Sequence, residues 1–89
     1  MQNTNTKTAR EIVRKICAEQ GVRVSAQSYT NKAADEDKRN LCFVVNGLTD
    51  CVVEHIALNL NVDAVRRTNC QFYYGAQSQY LRLVGCKFN

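Results

Sequence analysis

A single histidine, His55, is all the imidazole in this 89-residue chain, and no P-loop, nucleophile elbow, dinucleotide fingerprint or H-E-x-x-H motif accompanies it. General acid–base and nucleophilic catalysis both need such groups brought together. The carboxylates fall mostly in one run, Asp35-Glu36-Asp37, or on helix surfaces. Neither an enzyme nor a cofactor is expected. No apolar run approaches the roughly 18 residues of a membrane-spanning helix. The polar opening, Met1 to Lys7, lacks the apolar stretch of a secretory signal and reads as a flexible tail. The five cysteines, Cys17, Cys42, Cys51, Cys70 and Cys86, contain no C-x-x-C, which argues against a zinc cage and against a disulfide framework. Together these absences predict a cytoplasmic protein without membrane association or bound metal.

What remains is ordinary for a globular chain: 45% apolar residues, 22% charged residues and a net charge of +4. A domain of this length buries only about 60–65% of its unfolded surface, so helices and sheet must share one core. Residues 8–89 are therefore expected to form a single α+β domain. The positive charge serves solubility as readily as it serves an acidic partner.

Thr8-Ala9-Arg10-Glu11 has the capping-box pattern, and Ala9, Ile12, Val13, Ile16 and Gln20 follow at helical spacing. A first helix is predicted over about residues 9–20, closed by Gly21. The period then changes to two, with Val22, Val24, Ala26 and Ser28 on one face and Arg23, Ser25, Gln27 and Tyr29 on the other. A second strand is predicted at about residues 39–46, with Leu41, Phe43 and Val45 inward. After the Asn46-Gly47 turn, Thr49-Asp50 caps a second helix carrying Val52, Val53, Ile56, Ala57 and Leu60, which Asn61 can end. The remainder holds the aromatic run Phe72-Tyr73-Tyr74, a turn at residues 75–78 and a last strand from about Tyr80 to Phe88. Residues 63–67 fit either a longer helix or the third strand.

Shifting the chain by 40 positions aligns Ile12 with Val52, Val13 with Val53, Ile16 with Ile56, Leu41 with Leu81 and Phe43 with Leu83. The halves, residues 8–47 and 48–89, both read α, β, turn, β. The order αββαββ is a circular permutation of βαββαβ. It predicts a permuted ferredoxin-like fold, a four-stranded antiparallel sheet with two helices on one face and the other face open.

That open face is the favoured site. Alternation assigns to it Arg23, Gln27 and Tyr29 from the first strand, Tyr73 from the third, and Tyr80 and Arg82 from the fourth, a mixture suited to stacking bases and pairing phosphates. Arg10 and Arg14 form a like-charged i, i+4 pair on the first helix that could add phosphate contacts. Cys51 and His55 share a side of the second helix but have no further ligand or base at a legible spacing. The segment Arg39-Asn40-Leu41-Cys42-Phe43-Val44-Val45-Asn46 resembles the RNP1 signature of RNA-recognition motifs. Arg39, Phe43 and Val44 fit it, while Asn40, Leu41, Cys42 and Asn46 replace its glycine, aromatic, small and aromatic positions. The resemblance implies a stacking role for Phe43, although the alternation turns that residue toward the core.

Two functional expectations follow. One is a non-enzymatic binding module for single-stranded RNA or DNA, or for a nucleoprotein complex, using Arg10, Arg14, Arg23, Tyr29, Tyr73, Tyr80 and Arg82. The other is a small inhibitor of the kind that phage and mobile elements encode, which occludes a host protein or mimics nucleic-acid charge. It would use Asp35, Glu36, Asp37 and the outward-facing Leu58, with Arg10, Arg14, Arg66 and Arg67 as its basic counterpart. The open face could equally pack in a homodimer.

Overall fold

The computed structural model describes residues 3–30, 40–69 and 78–87, with the backbone alone for 28–30 and 69. Its elements run α1 (Thr6–Glu19), β1 (Arg23–Thr30), β2 (Asn40–Asn46), α2 (Asp50–Leu58), β3 (Ala64–Asn69) and β4 (Ser78–Val84). The strands form one antiparallel sheet in the order β1-β2-β4-β3, so β2 and β4 are central and β1 and β3 are edges. Among the described residues both helices lie on one side of this sheet, α1 against β1 and α2 against β3, and they touch each other. An α+β architecture with an antiparallel sheet is therefore present as expected.

The core lies where the two apolar periodicities meet. Leu41, Phe43 and Val45 of β2 and Leu81 and Leu83 of β4 are each 0% exposed, and they pack with Val13 and Ile16 of α1 and Val52 and Ile56 of α2. Fully burying each such side chain contributes about 1.5–3 kcal/mol. The β2–β4 register pairs Leu41 with Leu83, Phe43 with Leu81 and Cys42 with Arg82. Cys42 and Arg82 are themselves 40 positions apart, as are Leu41 and Leu81, and Phe43 and Leu83. The central ladder thus relates the two halves by a local twofold through the Cys42–Arg82 pair, which gives the internal similarity a geometric counterpart.

Three features depart from expectation, and a fourth resolves an alternative the sequence leaves open. α1 starts at Thr6 and is capped by Asn5, whose Oδ1 accepts from the Thr8 N–H at 2.8 Å. Asn5 is held in place from outside: Thr4 and Thr6 exchange backbone hydrogen bonds with Lys87, and the Thr4 N–H donates to the Asn61 carbonyl. The polar opening, read from sequence as a solvated tail, is thus bonded into the fold from Asn3 onward. α2 stops at Leu58, where the Asn59 amide donates to the His55 carbonyl at 2.8 Å, two residues before the expected stop at Asn61. Residues 64–69 are strand, the second of the two alternatives for this segment, and the aromatic run at 72–74 lies outside the described residues. Finally, β1 carries a bulge. Val24 pairs with Val45 and Ala26 with Val44, which leaves Ser25 unpaired and reverses the alternation beyond it.

The turn into α2 is locked by two polar side chains that alternation places on the helix side of the sheet. Gln79 accepts from the Leu48 N–H at 3.0 Å and donates to the Leu48 carbonyl at 3.2 Å. Arg67 reaches the same carbonyl and pairs with Asp50 at 2.5 Å. Asp50 is 89% exposed, so that ion pair adds only about 0–1 kcal/mol. The Gln79 contacts matter more, because Leu48 is 4% exposed and its N–H would otherwise go unpaired. At the other end of the sheet, Gly85 sits at φ 89, and a Cβ there would meet Asp63 Oδ2 at 2.5 Å. Asp63 cannot easily withdraw, since its N–H donates to the Val84 carbonyl and Asn3 bridges it to the Gly85 carbonyl.

Two destabilisations are expected in urea titrations. Gln79→Ala should cost about 1–3 kcal/mol by orphaning the buried Leu48 amide. Gly85→Ala should cost a similar amount through its left-handed backbone and the clash with Asp63. A change below about 0.5 kcal/mol in either variant would contradict this account of the turn or of the Asn3–Asp63–Gly85 junction.

Candidate functional site

Cross-strand partners point to the same side, so the register itself defines the face away from the helices. One row across it reads Cys42, Arg82, Arg66 over β2, β4 and β3; the next reads Ala26, Val44, Tyr80, Thr68 over β1, β2, β4 and β3. Arg23 stands at the far end of β1, opposite Asn46. No described helix covers this face. It is not uniformly exposed, however: Cys42 is 4% exposed although it lies outside the core cluster, and Tyr80, Arg82 and Val44 are half-buried.

The electrostatics are one-sided. None of the four strands contains an aspartate or glutamate, and their charged residues are Arg23, Arg66, Arg67 and Arg82. Arg67 belongs to the helix side and is spent on Leu48 and Asp50. Arg66 and Arg82 are direct cross-strand partners, which brings their Cβ atoms to about 4.5–5.5 Å. Like charges so placed repel and destabilise the ladder unless an anion sits between them. The Nε of Arg82 is buried and has no hydrogen-bond partner among the described residues. A buried donor left open costs about 1–3 kcal/mol, more when charged, so it is an unusual feature to retain without an acceptor to fill it.

The residues singled out from sequence therefore divide. Arg23, Tyr80 and Arg82 share the open face, and Arg66 joins them; sequence reasoning had grouped Arg66 with Arg67 as one basic patch. Strand alternation separates that pair, and it was readable once residues 64–69 were known to be a strand. Gln27 does not join them. The Ser25 bulge turns it to the helix side, beside Lys7, Arg10, Glu11 and Arg14, so Arg10 and Arg14 sit across the β1 edge from Tyr80 and Arg82. Tyr29 pairs with Leu41 in the ladder, and its side chain lies outside the described residues. Tyr73, Asp35, Glu36, Asp37 and Arg39 also lie outside them. Phe43, the stacking position that the RNP1 resemblance implied, is 0% exposed in the core and has no face to offer a base. Leu58 is 79% exposed on α2, whose surface also exposes Cys51 and Glu54.

Cys17, Cys51 and Cys86 are free thiols, and Cys17, Cys42 and Cys86 are buried. Burial pushes the Cys86 thiol up from the ordinary 9.0 to about 11. Burial also raises Cys17, partly offset by the nearby Arg14 guanidinium. These are packing residues with little thiolate at neutral pH. Among the described residues no three His, Cys, Asp or Glu side chains gather in a way that could hold a metal ion.

No family model matches this chain, and neither the curated proteins nor the solved structures contain a match to it.

The cysteine environments predict two behaviours. In the native protein Cys51 should be alkylated fastest of the four, with Cys17, Cys42 and Cys86 protected until unfolding, as peptide mapping after a short pulse would read. Because the folded pKa of Cys86 lies above its unfolded value, its contribution is intact below about pH 9 and is lost as pH rises toward 11. Cys86→Ala should flatten the alkaline loss of stability by on the order of 2–3 kcal/mol relative to wild type. Parallel stability–pH curves for the two proteins would contradict that.

Proposed function

We propose that the open face of the sheet binds single-stranded nucleic acid, alone or within a nucleoprotein complex, without catalysis. The observation that carries this reading is the Arg66–Arg82 cross-strand pair, with the buried and unpartnered Nε of Arg82 between strands that hold no carboxylate. A phosphate oxygen reached by the two guanidinium groups supplies what the pair lacks electrostatically. The adjacent row places the half-exposed Tyr80 where a base bonded to that phosphate can stack. Single strands suit the site because an open strand face carrying Tyr80 and arginines can stack unpaired bases and pair their phosphates.

The fold supports the same reading. Transferring β4 to the front of α1 converts the order αββαββ into βαββαβ, and the sheet order β1-β2-β4-β3 is the one that this permutation of a ferredoxin-like sheet requires. Such sheets leave one face free for ligands. Free thiols on several elements suit a reducing compartment such as the cytoplasm.

A second reading, occlusion of a host protein, draws on Leu58 at 79% exposure. The two separate by mutation. In fluorescence anisotropy with labelled RNA and DNA oligomers, wild-type protein should bind single strands saturably and lose affinity as salt rises. The log–log slope should be about −0.7 for each phosphate engaged. Arg82→Ala or Arg66→Ala should weaken binding about tenfold and reduce the slope by about 0.7, whereas Leu58→Ser should leave it unchanged. Absence of saturable binding at low salt, or equal binding by Arg82→Ala, would overturn the proposal.

A further inference from the structure

The bulge at Ser25 has a second effect. By turning Gln27 toward α1 it completes a shallow depression of about 390 Å³, lined by Lys7, Arg10, Glu11, Arg14 and Gln27, on the helix side of the β1 edge. Lys7, Arg10 and Arg14 stand at i, i+3 and i+7 on α1, so their side chains share one flank of the helix. Glu11 is the one carboxylate among the lining residues. Lys7, Arg10 and Arg14 make no ion pair among the described residues, where the recorded pair is Arg67 with Asp50. The Gln27 amide adds neutral donors beside these cations, as a site for a phosphodiester needs. The volume falls within the roughly 300–1,000 Å³ of small-ligand sites, sufficient for a nucleotide's phosphate and sugar.

The depression is reachable from the open face. β1 is an edge strand, so among the described residues no strand lies beyond it. From Tyr80 and Arg82 on β4 the path crosses two strand spacings of about 4.8 Å, then passes over the edge through one layer of about 10 Å. That total of about 20 Å corresponds to about six nucleotides where the bases stay stacked at the duplex rise of 3.4 Å, and to fewer where the strand is extended. We propose that the Lys7–Arg10–Arg14–Gln27 depression is a second phosphate site, which takes the backbone of the same single strand after it leaves the open face over the β1 edge. This inference rests on the open-face reading. It makes the protein a length-sensing binder: strands too short to turn the edge use the sheet alone.

The test is affinity against oligothymidylate length, three, six and twelve nucleotides, for wild type and for the Arg10→Ala/Arg14→Ala variant. A thermal melt confirms that the variant, altered at one half-buried and one exposed position, is folded. The wild type should gain affinity between three and twelve nucleotides. The variant should bind the trimer as wild type does but bind the twelve-mer at least tenfold more weakly, with the salt slope reduced by about 1.4 for two lost contacts. An Arg10→Lys/Arg14→Lys variant should recover most of the loss, because charge is retained. If the twelve-mer binds wild type and the alanine variant equally, or if the variant loses trimer binding to the same extent, the second site is wrong while the open face stands. If the twelve-mer does not bind wild type at all, the open-face reading fails and takes this one with it.

Discussion

Leu41 opposite Leu83 and Phe43 opposite Leu81 hold the centre of the sheet, and all four are completely buried beneath the helices. Because side chains alternate along a strand, this one apolar patch dictates what the intervening residues can be. Cys42 and Arg82 must point the other way, and with them the row that reaches Arg66. A slip of one residue in β2 would expose Phe43 and one in β4 would bury Arg82, so the hydrophobic register and the arginine face are one constraint seen from two sides. The N-terminal residues reinforce it from the margin. Asn3, Thr4 and Thr6 bond to the segments that flank β3 and follow β4, so α1 is tied to the far end of the chain as well as to β1.

Elements governed by local pattern were legible in the sequence. The alternation of Leu41, Phe43 and Val45, the Thr49 cap and the spacing of Val13 with Ile16 and of Val52 with Ile56 all describe burial that each element achieves in the same way wherever it sits. Features created by contacts distant in sequence were not. Asn5 outranks Thr8 as a cap because Lys87 and Asn61 position it, and neither is near it in the chain. β3, Ala-Val-Arg-Arg-Thr-Asn, is an edge strand with one core side chain, Val65, and its pattern is weaker than that of the aromatic run that follows.

The site was half legible for the same reason. Arg23, Tyr80 and Arg82 follow from alternation in unbroken strand segments. Gln27 was misplaced because a bulge shifts parity by one and Ser25 gives no composition cue of its own. Arg66 and Arg67 look equivalent in a sequence, yet one faces the open side and the other braces the turn before α2. That separation turns a generic basic patch into a specific pair, Arg66 beside Arg82, whose Nε has no hydrogen-bond partner among the described residues.

The most direct measurement of the central claim is the Nε–Hε resonance of Arg82 in a ¹⁵N-labelled sample titrated with a short single-stranded oligonucleotide. The account predicts a saturable downfield shift at Arg82 Hε, accompanied by changes at the backbone amides of Arg66, Thr68 and Tyr80 and none at Leu58. Perturbations confined to α2, or an Arg82 Hε signal that does not move at saturating oligonucleotide, would contradict it.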